Sequence, residues 1–195
     1  MDVVLRQLHG PWNAGWALNK HMLRSTHLGN DEYGRPRFES VRTDVGEATY
    51  QLKYRQDWGQ VQPLAKALLE HVVPRLAGIG FIVPMPASTV RARQPVTEVA
   101  QALSALSGIP VFPDLLHRSR AVKLLKDLQT KEEKIEAIGD SFAVHDTIQG
   151  AGPWNVLVID DLFHTGASLE AACAALRKYP KVRHVYVAAL TWRSP

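Results

Sequence analysis

The amino-acid sequence predicts an α/β protein whose central, mostly parallel sheet is flanked by helices. Three apolar runs rich in β-branched residues, at 80–84, 155–159 and 184–191, have the length of strands buried on both faces of a sheet. Amphipathic patterns, with apolar residues 3, 4 and 7 positions apart, separate these runs and indicate helices. Strands that alternate with helices in this way favour parallel pairing.

The chain has the length of one domain with an appended subregion. It contains 195 residues, of which 46% are hydrophobic and 22% charged, so we expect a packed core and no general disorder. Residues 1–42 contain several turn signals with short apolar pieces between them, which predicts a small strand-rich subregion. Residues 43–195 are then expected to form the α/β domain.

Proline and glycine mark several of the predicted boundaries. Pro74 should end or bend a helix, Pro84 should stop a strand, Pro95 suits a first helical position, and Gly108 suits a helix end. The expected elements are helices at 43–55, 60–77, 95–107 and from Leu169, strands at 80–84, within 109–116, at 141–144, 155–159 and 184–191, a loop at 85–94 and a turn at 150–153.

A polar, basic stretch at 117–134 allows two interpretations. Its charges, which include Lys131 and Glu132, are typical of a solvated helix whose surface ion pairs contribute little each. The same cations would also suit a lid that closes over an anionic ligand. The residues alone leave both open.

The chain is organised around the stretch at 155–169. Its apolar strand ends at Asp160 and Asp161, and a loop at 162–166 leads into an amphipathic helix. Backbone N–H groups at a helix start hold anions, while the two carboxylates can bind hydroxyl groups or approach a metal. A ligand that carries both phosphate and vicinal hydroxyl groups would satisfy this arrangement.

Composition disfavours several other classes of protein. The one cysteine, Cys173, lies on the apolar stripe of the predicted helix, so we expect a buried structural thiol and no disulfide or multi-cysteine zinc site. No apolar run approaches the ~18 residues of a membrane span or resembles a signal sequence, which predicts a cytoplasmic protein. The net charge is +4, but the basic residues form no stripe, so nucleic acid is not an expected partner.

The organising stretch, VLVIDDLFHTGAS, resembles the phosphoribosyl pyrophosphate signature of type I phosphoribosyltransferases. Further landmarks are similar to the ComF-like branch and stand in the same order: YQLKYR at 50–55, IVPMPAS at 82–88, LHRSRA at 116–121 and GDSF at 139–142. The resemblance covers roughly 46–192. ComF-like proteins commonly begin with a four-cysteine zinc ribbon, which this chain cannot build.

The resemblance implies a role for each group of residues. Asp160 and Asp161 would be the catalytic acids that bind the ribose hydroxyls. Mg²⁺ would be the cofactor, held near these acids by the ligand and water, with no direct protein ligand. The implied substrate-binding residues are His164, Thr165, Gly166, Ala167 and Ser168 around the 5-phosphate, Met85, Pro86, Ala87 and Ser88 in the pyrophosphate loop, and Arg91 and Arg93 as cations beside it.

The implied activity is transfer of a phosphoribosyl group from phosphoribosyl pyrophosphate to an unknown nitrogenous acceptor, contacted by a hood formed from residues 1–42. A non-catalytic sensor of phosphoribosyl pyrophosphate or a nucleotide is the alternative, and an accessory factor in DNA uptake is a third. A homodimer is left open. His164 departs from the small hydroxylated residue common at its position, so it is either a tolerated exposed side chain or a ligand contact.

Overall fold

The computed structural model describes residues 1–89, 91–119 and 141–194. Short 3-10 turns lie at Trp58–Gln60 and Val73–Arg75. The strands are β1 (Arg6–Gln7), β2 (Ala14–Lys20), β3 (Met22–Asn30), β4 (Pro36–Arg42), β5 (Ile79–Pro84), β6 (Leu116–Arg118), β7 (Phe142–Val144), β8 (Trp154–Phe163) and β9 (Val182–Trp192), and the helices are α1 (Asp44–Arg55), α2 (Val61–His71), α3 (Pro95–Ser107) and α4 (Ala167–Arg177).

The central sheet has the strand order β1-β2-β9-β8-β5. Strands β2, β9, β8 and β5 pair in parallel, and β1 pairs antiparallel with β2 at one edge. The predicted α/β class with a mostly parallel sheet is therefore confirmed.

Alternate residues of β8 supply the two hydrophobic cores that cover the faces of the sheet. Val156 and Val158 pack into the core that contains α4, whereas Leu157 and Ile159 pack into the core that contains α1, α2 and α3. Successive side chains of a strand point to opposite faces, so a continuous apolar run serves both cores. Cys173, a residue of α4, is buried in the first of these cores, as expected, and burial raises the pKa of its thiol to about 12.

Residues 1–42 are rich in strands, as the turn signals predict, but these strands divide between two sheets. β1 and β2 belong to the central sheet. β3 and β4 form a separate, largely exposed hairpin. At its tip, the Asp31 carboxylate accepts the N–H groups of Tyr33 and Arg35 at 2.9 and 2.8 Å. Only the hairpin stands apart from the central sheet within this segment.

Helices α1, α2 and α3 lie on the face of the sheet opposite α4, and local residues determine where they begin and end. The Thr43 hydroxyl caps α1 by accepting the Gly46 N–H at 2.9 Å. Helix α2 ends at His71, earlier than the predicted residue 77, and Pro74 lies in the 3-10 turn that follows. Gly108 ends α3 in the left-handed conformation, with φ of 74°.

The strand expected within 109–116 is reduced to one bridge, between Val111 and Ile82. Pro110 and Pro113 flank this bridge and donate no N–H groups, so a longer ladder cannot form along this segment. Strand β6 starts later, at Leu116, and pairs antiparallel with β7 in a separate two-stranded sheet.

The basic stretch at 117–134 lies outside the described residues from residue 120 onward, and so does its interpretation as helix or lid. None of the helices among residues 1–89, 91–119 and 141–194 has the length and hydrophobicity of a transmembrane span.

Candidate active site

A cavity of about 270 Å³ opens at the carboxyl ends of β5 and β8, which are neighbours in the sheet. Crevices at the carboxyl ends of parallel strands are the usual ligand sites of α/β sheets. The cavity combines the loop after β5, the acidic pair of β8, the end of α1 and the start of α4. Its lining includes Met85, Pro86, Ala87, Ser88, Arg91, Asp160, Asp161 and Ser168 from the predicted site.

The acidic pair lies within β8 and not after it. The sequence predicted that the strand would end before Asp160, but β8 continues to Phe163 because Leu162 and Phe163 still pair with Thr191 and Trp192 of β9. The loop expected at 162–166 therefore shrinks to three residues, His164 to Gly166, before α4 begins.

Because the acids are inside a strand, their side chains point to opposite faces. Asp160 lines a smaller cavity of about 90 Å³ formed with the turn and the first residues of α4. Asp161 forms an ion pair on the side of α1. The larger cavity reaches both carboxylates. The two carboxylates are therefore placed to contact two parts of one ligand.

The turn at 164–166 has the geometry of an anion site. Gly166 has φ of 85° and lies close to Phe163, since a Cβ atom there would be 3.0 Å from Phe163 Cε2. No side chain caps the first turn of α4, and the contact from the Ala167 N–H to Thr165 Oγ1 is long, at 3.5 Å. The N–H groups at the helix start can therefore donate hydrogen bonds to an anionic partner.

The Asp160 carboxyl is the most perturbed acid of the site. Burial raises its pKa to about 7, and the adjacent Asp161 charge adds to this effect. The Asp161 N–H donates to Asp160 Oδ1 at 2.8 Å, and the charges of Lys53 and Arg118 oppose the rise. A strongly perturbed carboxyl at a cleft is typical of a functional site.

Lys53 is a site residue that the sequence interpretation did not select. Its ammonium lies 2.5 Å from Asp161 Oδ2, and its backbone oxygen accepts Arg91 Nη1 at 2.8 Å. The landmark YQLKYR at 50–55 contains Lys53, but the sequence assigned this lysine no role in the site.

Of the cations considered, the structure brings Arg91 and Arg118 to the cavity and leaves Arg93 elsewhere. Arg118 Nε donates to the Pro86 oxygen at 3.2 Å, which fixes this side chain against the loop after β5. Arg93 instead binds Glu98, with its Nη2 2.6 Å from Oε2, and stacks 4.0 Å from the Trp58 ring centroid. In the sequence, Arg118 belongs to the landmark LHRSRA and to the basic stretch at 117–134, but it was not among the selected site residues.

A chain of polar contacts connects the acidic pair to the base of the exposed hairpin. The Thr191 hydroxyl donates to the Asp161 backbone oxygen at 2.9 Å and lies 3.2 Å from His21 Nδ1. His21 joins β2 to β3, and burial lowers its pKa, with smaller contributions from Arg42 and Lys53. His164, which the sequence left open, is half-buried and has Nδ1 3.5 Å from Arg193 Nη2.

The acids fit a hard cation that a ligand helps to hold. Among the residues that the structure describes, no group of three or more His, Cys, Asp or Glu side chains is arranged around a metal position. Asp160 and Asp161 offer carboxylate oxygens, the donors that Mg²⁺ prefers, and the remaining positions would fall to ligand oxygens and water.

Neither a known family profile nor a curated protein sequence matches the chain. Among solved structures, the chain is similar to an adenine phosphoribosyltransferase at 16% identity, with 86% of each chain covered and a TM-score of 0.44. It is similar to adenine phosphoribosyltransferase from Thermoanaerobacter pseudethanolicus at 13% identity, with 88% of this chain and 96% of that chain covered and a TM-score of 0.46. Hypoxanthine phosphoribosyltransferase from Staphylococcus aureus matches at 11% identity, over 68% of this chain and 62% of that chain, with a TM-score of 0.41. These likenesses do not by themselves establish a family or an activity for this chain.

Proposed function

We propose that the cavity binds 5-phosphoribosyl pyrophosphate with Mg²⁺ and that the protein transfers the phosphoribosyl group to a nitrogenous acceptor. One observation carries the proposal: the acidic pair stands between the uncapped start of α4 and the loop after β5, at the ends of adjacent parallel strands, and Arg91 of that loop and Arg118 of β6 line the same cavity. Phosphate, ribose hydroxyls and pyrophosphate would each meet a complementary part of this surface.

Each group of residues would have a separate task. The N–H groups at the start of α4 bind the 5-phosphate, and Gly166 permits its close approach. Asp160 and Asp161 accept hydrogen bonds from the ribose hydroxyls and so orient the anomeric carbon. The two carboxylates would also help to hold Mg²⁺, which when bound would supply positive charge to the pyrophosphate.

Transfer would break the bond between the anomeric carbon and a pyrophosphate oxygen and form a bond from that carbon to the acceptor nitrogen, whose proton passes to solvent. Negative charge develops on the departing pyrophosphate. Arg91 and Arg118, which line the cavity beside the loop at 85–88, are placed to neutralise that charge. We place the hood in the β3–β4 hairpin, whose base connects to the acidic pair through His21 and Thr191.

A non-catalytic sensor is the second candidate, and the position of Arg93 favours it. This arginine, expected beside the pyrophosphate loop, is engaged by Glu98 and Trp58, so one cation that would assist the leaving group is missing from the cavity. Sensing requires only the phosphate turn and the acids. The ComF-like resemblance adds a role in DNA uptake, which would require DNA binding with steep salt dependence.

Calorimetric titration with phosphoribosyl pyrophosphate, with and without Mg²⁺, tests the proposal. We expect binding that Mg²⁺ strengthens, and we expect the folded double variant Asp160→Asn with Asp161→Asn to lose most of it. No binding by the wild-type protein at millimolar ligand would overturn both the enzyme and the sensor. Unchanged affinity in the double variant would remove the acids from the site.

A second assay separates the enzyme from the sensor. Release of pyrophosphate is followed while the protein is supplied with phosphoribosyl pyrophosphate, Mg²⁺ and a panel of purine and pyrimidine bases. Release that depends on one base supports transfer and identifies the acceptor. Tight binding without release for any base supports the sensor.

A further inference from the structure

Lys53 contacts both the acidic pair of β8 and the loop after β5, the two parts of the candidate site. Its ammonium pairs with Asp161 on β8, at 2.5 Å, while its backbone oxygen holds Arg91 of the loop after β5. Both contacts come from the last turn of α1. The Lys53 side chain is 31% exposed and that of Asp161 18%, so solvent screens this pair only in part.

The ion pair places a positive charge where a divalent cation would approach the acids. Mg²⁺ at Asp161 Oδ2 and the Lys53 ammonium would repel each other across a few ångströms of half-buried space. A metal ion that arrives alone must therefore displace the lysine, and the attraction between the ammonium and Asp161 is lost. The ion pair thus opposes metal binding in the absence of ligand.

An anionic ligand changes this balance. Lys53 lines the same cavity as Arg91 and Arg118, so its ammonium can move from Asp161 to phosphate oxygens in that space. In its present position the ammonium lies 5.8 Å from the Tyr54 ring centroid, which is a weak contact. The ligand would then supply both the oxygens that complete the metal coordination and the negative charge that accepts the lysine.

We propose that Lys53 is an internal counter-ion that keeps divalent metal off the acidic pair until the anionic substrate arrives. The proposal rests on the function proposed above and names the residue that makes metal binding depend on substrate. Lys53 acts first on Asp161 and then on the ligand. It therefore sets the order of assembly of the site.

Titration with Mn²⁺ alone, followed by the electron paramagnetic resonance signal of the free ion, tests this inference at pH 8. We expect weak binding to the wild-type protein and binding at least about tenfold tighter to Lys53→Met, which removes the charge and keeps the length of the side chain. Equal Mn²⁺ affinity in the two proteins would overturn the inference. Lys53→Gln provides the same comparison if Lys53→Met does not fold.

Three control variants assign the effect to the pair. Lys53→Arg keeps a cation and should bind Mn²⁺ as weakly as the wild type. Adding Asp161→Asn to Lys53→Met should remove the Mn²⁺ binding that was gained. Lys66→Met removes another paired lysine, on α2 beside Glu70, and should change nothing. Tighter Mn²⁺ binding in Lys66→Met would indicate a general charge effect and overturn the inference.

The two proposals fail in different ways. If the wild-type protein shows no calorimetric binding of phosphoribosyl pyrophosphate with Mg²⁺, the proposed function fails, whatever Lys53→Met does with Mn²⁺. If the wild type binds the ligand and Lys53→Met gains no Mn²⁺ affinity, the proposed function stands and the counter-ion role is wrong.

Discussion

Replacing Asp160 with Asn should stabilise the protein while it weakens ligand binding. The Asn side chain keeps the shape of Asp and can still accept the Asp161 N–H that Asp160 Oδ1 accepts at 2.8 Å. It removes a charge that burial and Asp161 both disfavour. A residue whose removal stabilises the fold and impairs binding is retained for function.

The magnitude follows from the pKa of the Asp160 carboxyl. A rise from 3.8 to about 7 means that the folded state binds this proton more tightly than the unfolded state, so ionisation costs stability as the pH rises through that window. At about 1.4 kcal/mol for each pKa unit, ionisation of Asp160 would lower the free energy of unfolding by about 4 kcal/mol above pH 7. The carboxyl is only half-buried, so we expect about 2 kcal/mol, or about 4–8 °C in Tm for a chain of this length.

Thermal and urea unfolding at pH 5 and pH 8, in a chelating buffer without ligand, measure this effect. The advantage of Asp160→Asn should be complete at pH 8 and less than half as large at pH 5, since the wild-type carboxyl is largely protonated there. An advantage of equal size at both pH values, or none at pH 8, would refute the reasoning.

Asp146→Asn is a control that should change the stability in the opposite direction. Hydrogen bonds from Tyr179 and then from Lys181 hold the pKa of the Asp146 carboxyl below its usual value. Its ionised form therefore stabilises the fold above the ordinary pKa, and this contribution is lost as the pH falls through the lowered one. Asp146→Asn should consequently destabilise the protein at pH 8.

Two further predictions test the cations and the packing around the site. Arg118→Ala should weaken binding of phosphoribosyl pyrophosphate by about 10- to 100-fold, while Arg93→Ala should change it by no more than about twofold, because only the first lines the cavity. Equal losses in calorimetry would contradict this assignment. Gly46→Ala should lower the free energy of unfolding in urea by about 1–3 kcal/mol, because the added methyl group would overlap the His21 backbone oxygen. Gly59→Ala, whose methyl group would meet only the end of a side chain, is the matched control, and similar losses in both variants would argue against the overlap.

The sequence was sufficient wherever one local pattern decides the structure. The apolar run at 155–159 predicts a strand buried on both faces, because periodicity and β-branching report burial directly. The terminal Gly108 likewise predicts a helix end, since the carbonyl groups that it satisfies lie within a few residues. The acidic pair beside a turn of small residues indicated the position of the candidate site for the same reason.

The sequence was insufficient wherever contacts between distant segments decide the outcome. Strand β8 continues past Asp160 because β9 still pairs with it, and the residues around the acids contain no pattern that predicts this pairing. The local sequence pattern also cannot show which of several cations lies in the cavity. Lys53 meets an acid more than a hundred residues away, and Arg93 is taken by Glu98 and Trp58.

The sequence by itself therefore determined the class of the fold and the chemical character of the site, because hydrophobic periodicity and clustered acids are local properties of the chain. Only the tertiary structure decided which charges meet at the site. It brought Lys53 and Arg118 to the acidic pair and left Arg93 on another surface. The physical reason is that an ion pair or hydrogen bond forms only when its atoms lie within a few ångströms, and distances of that size are set by packing between segments remote in sequence.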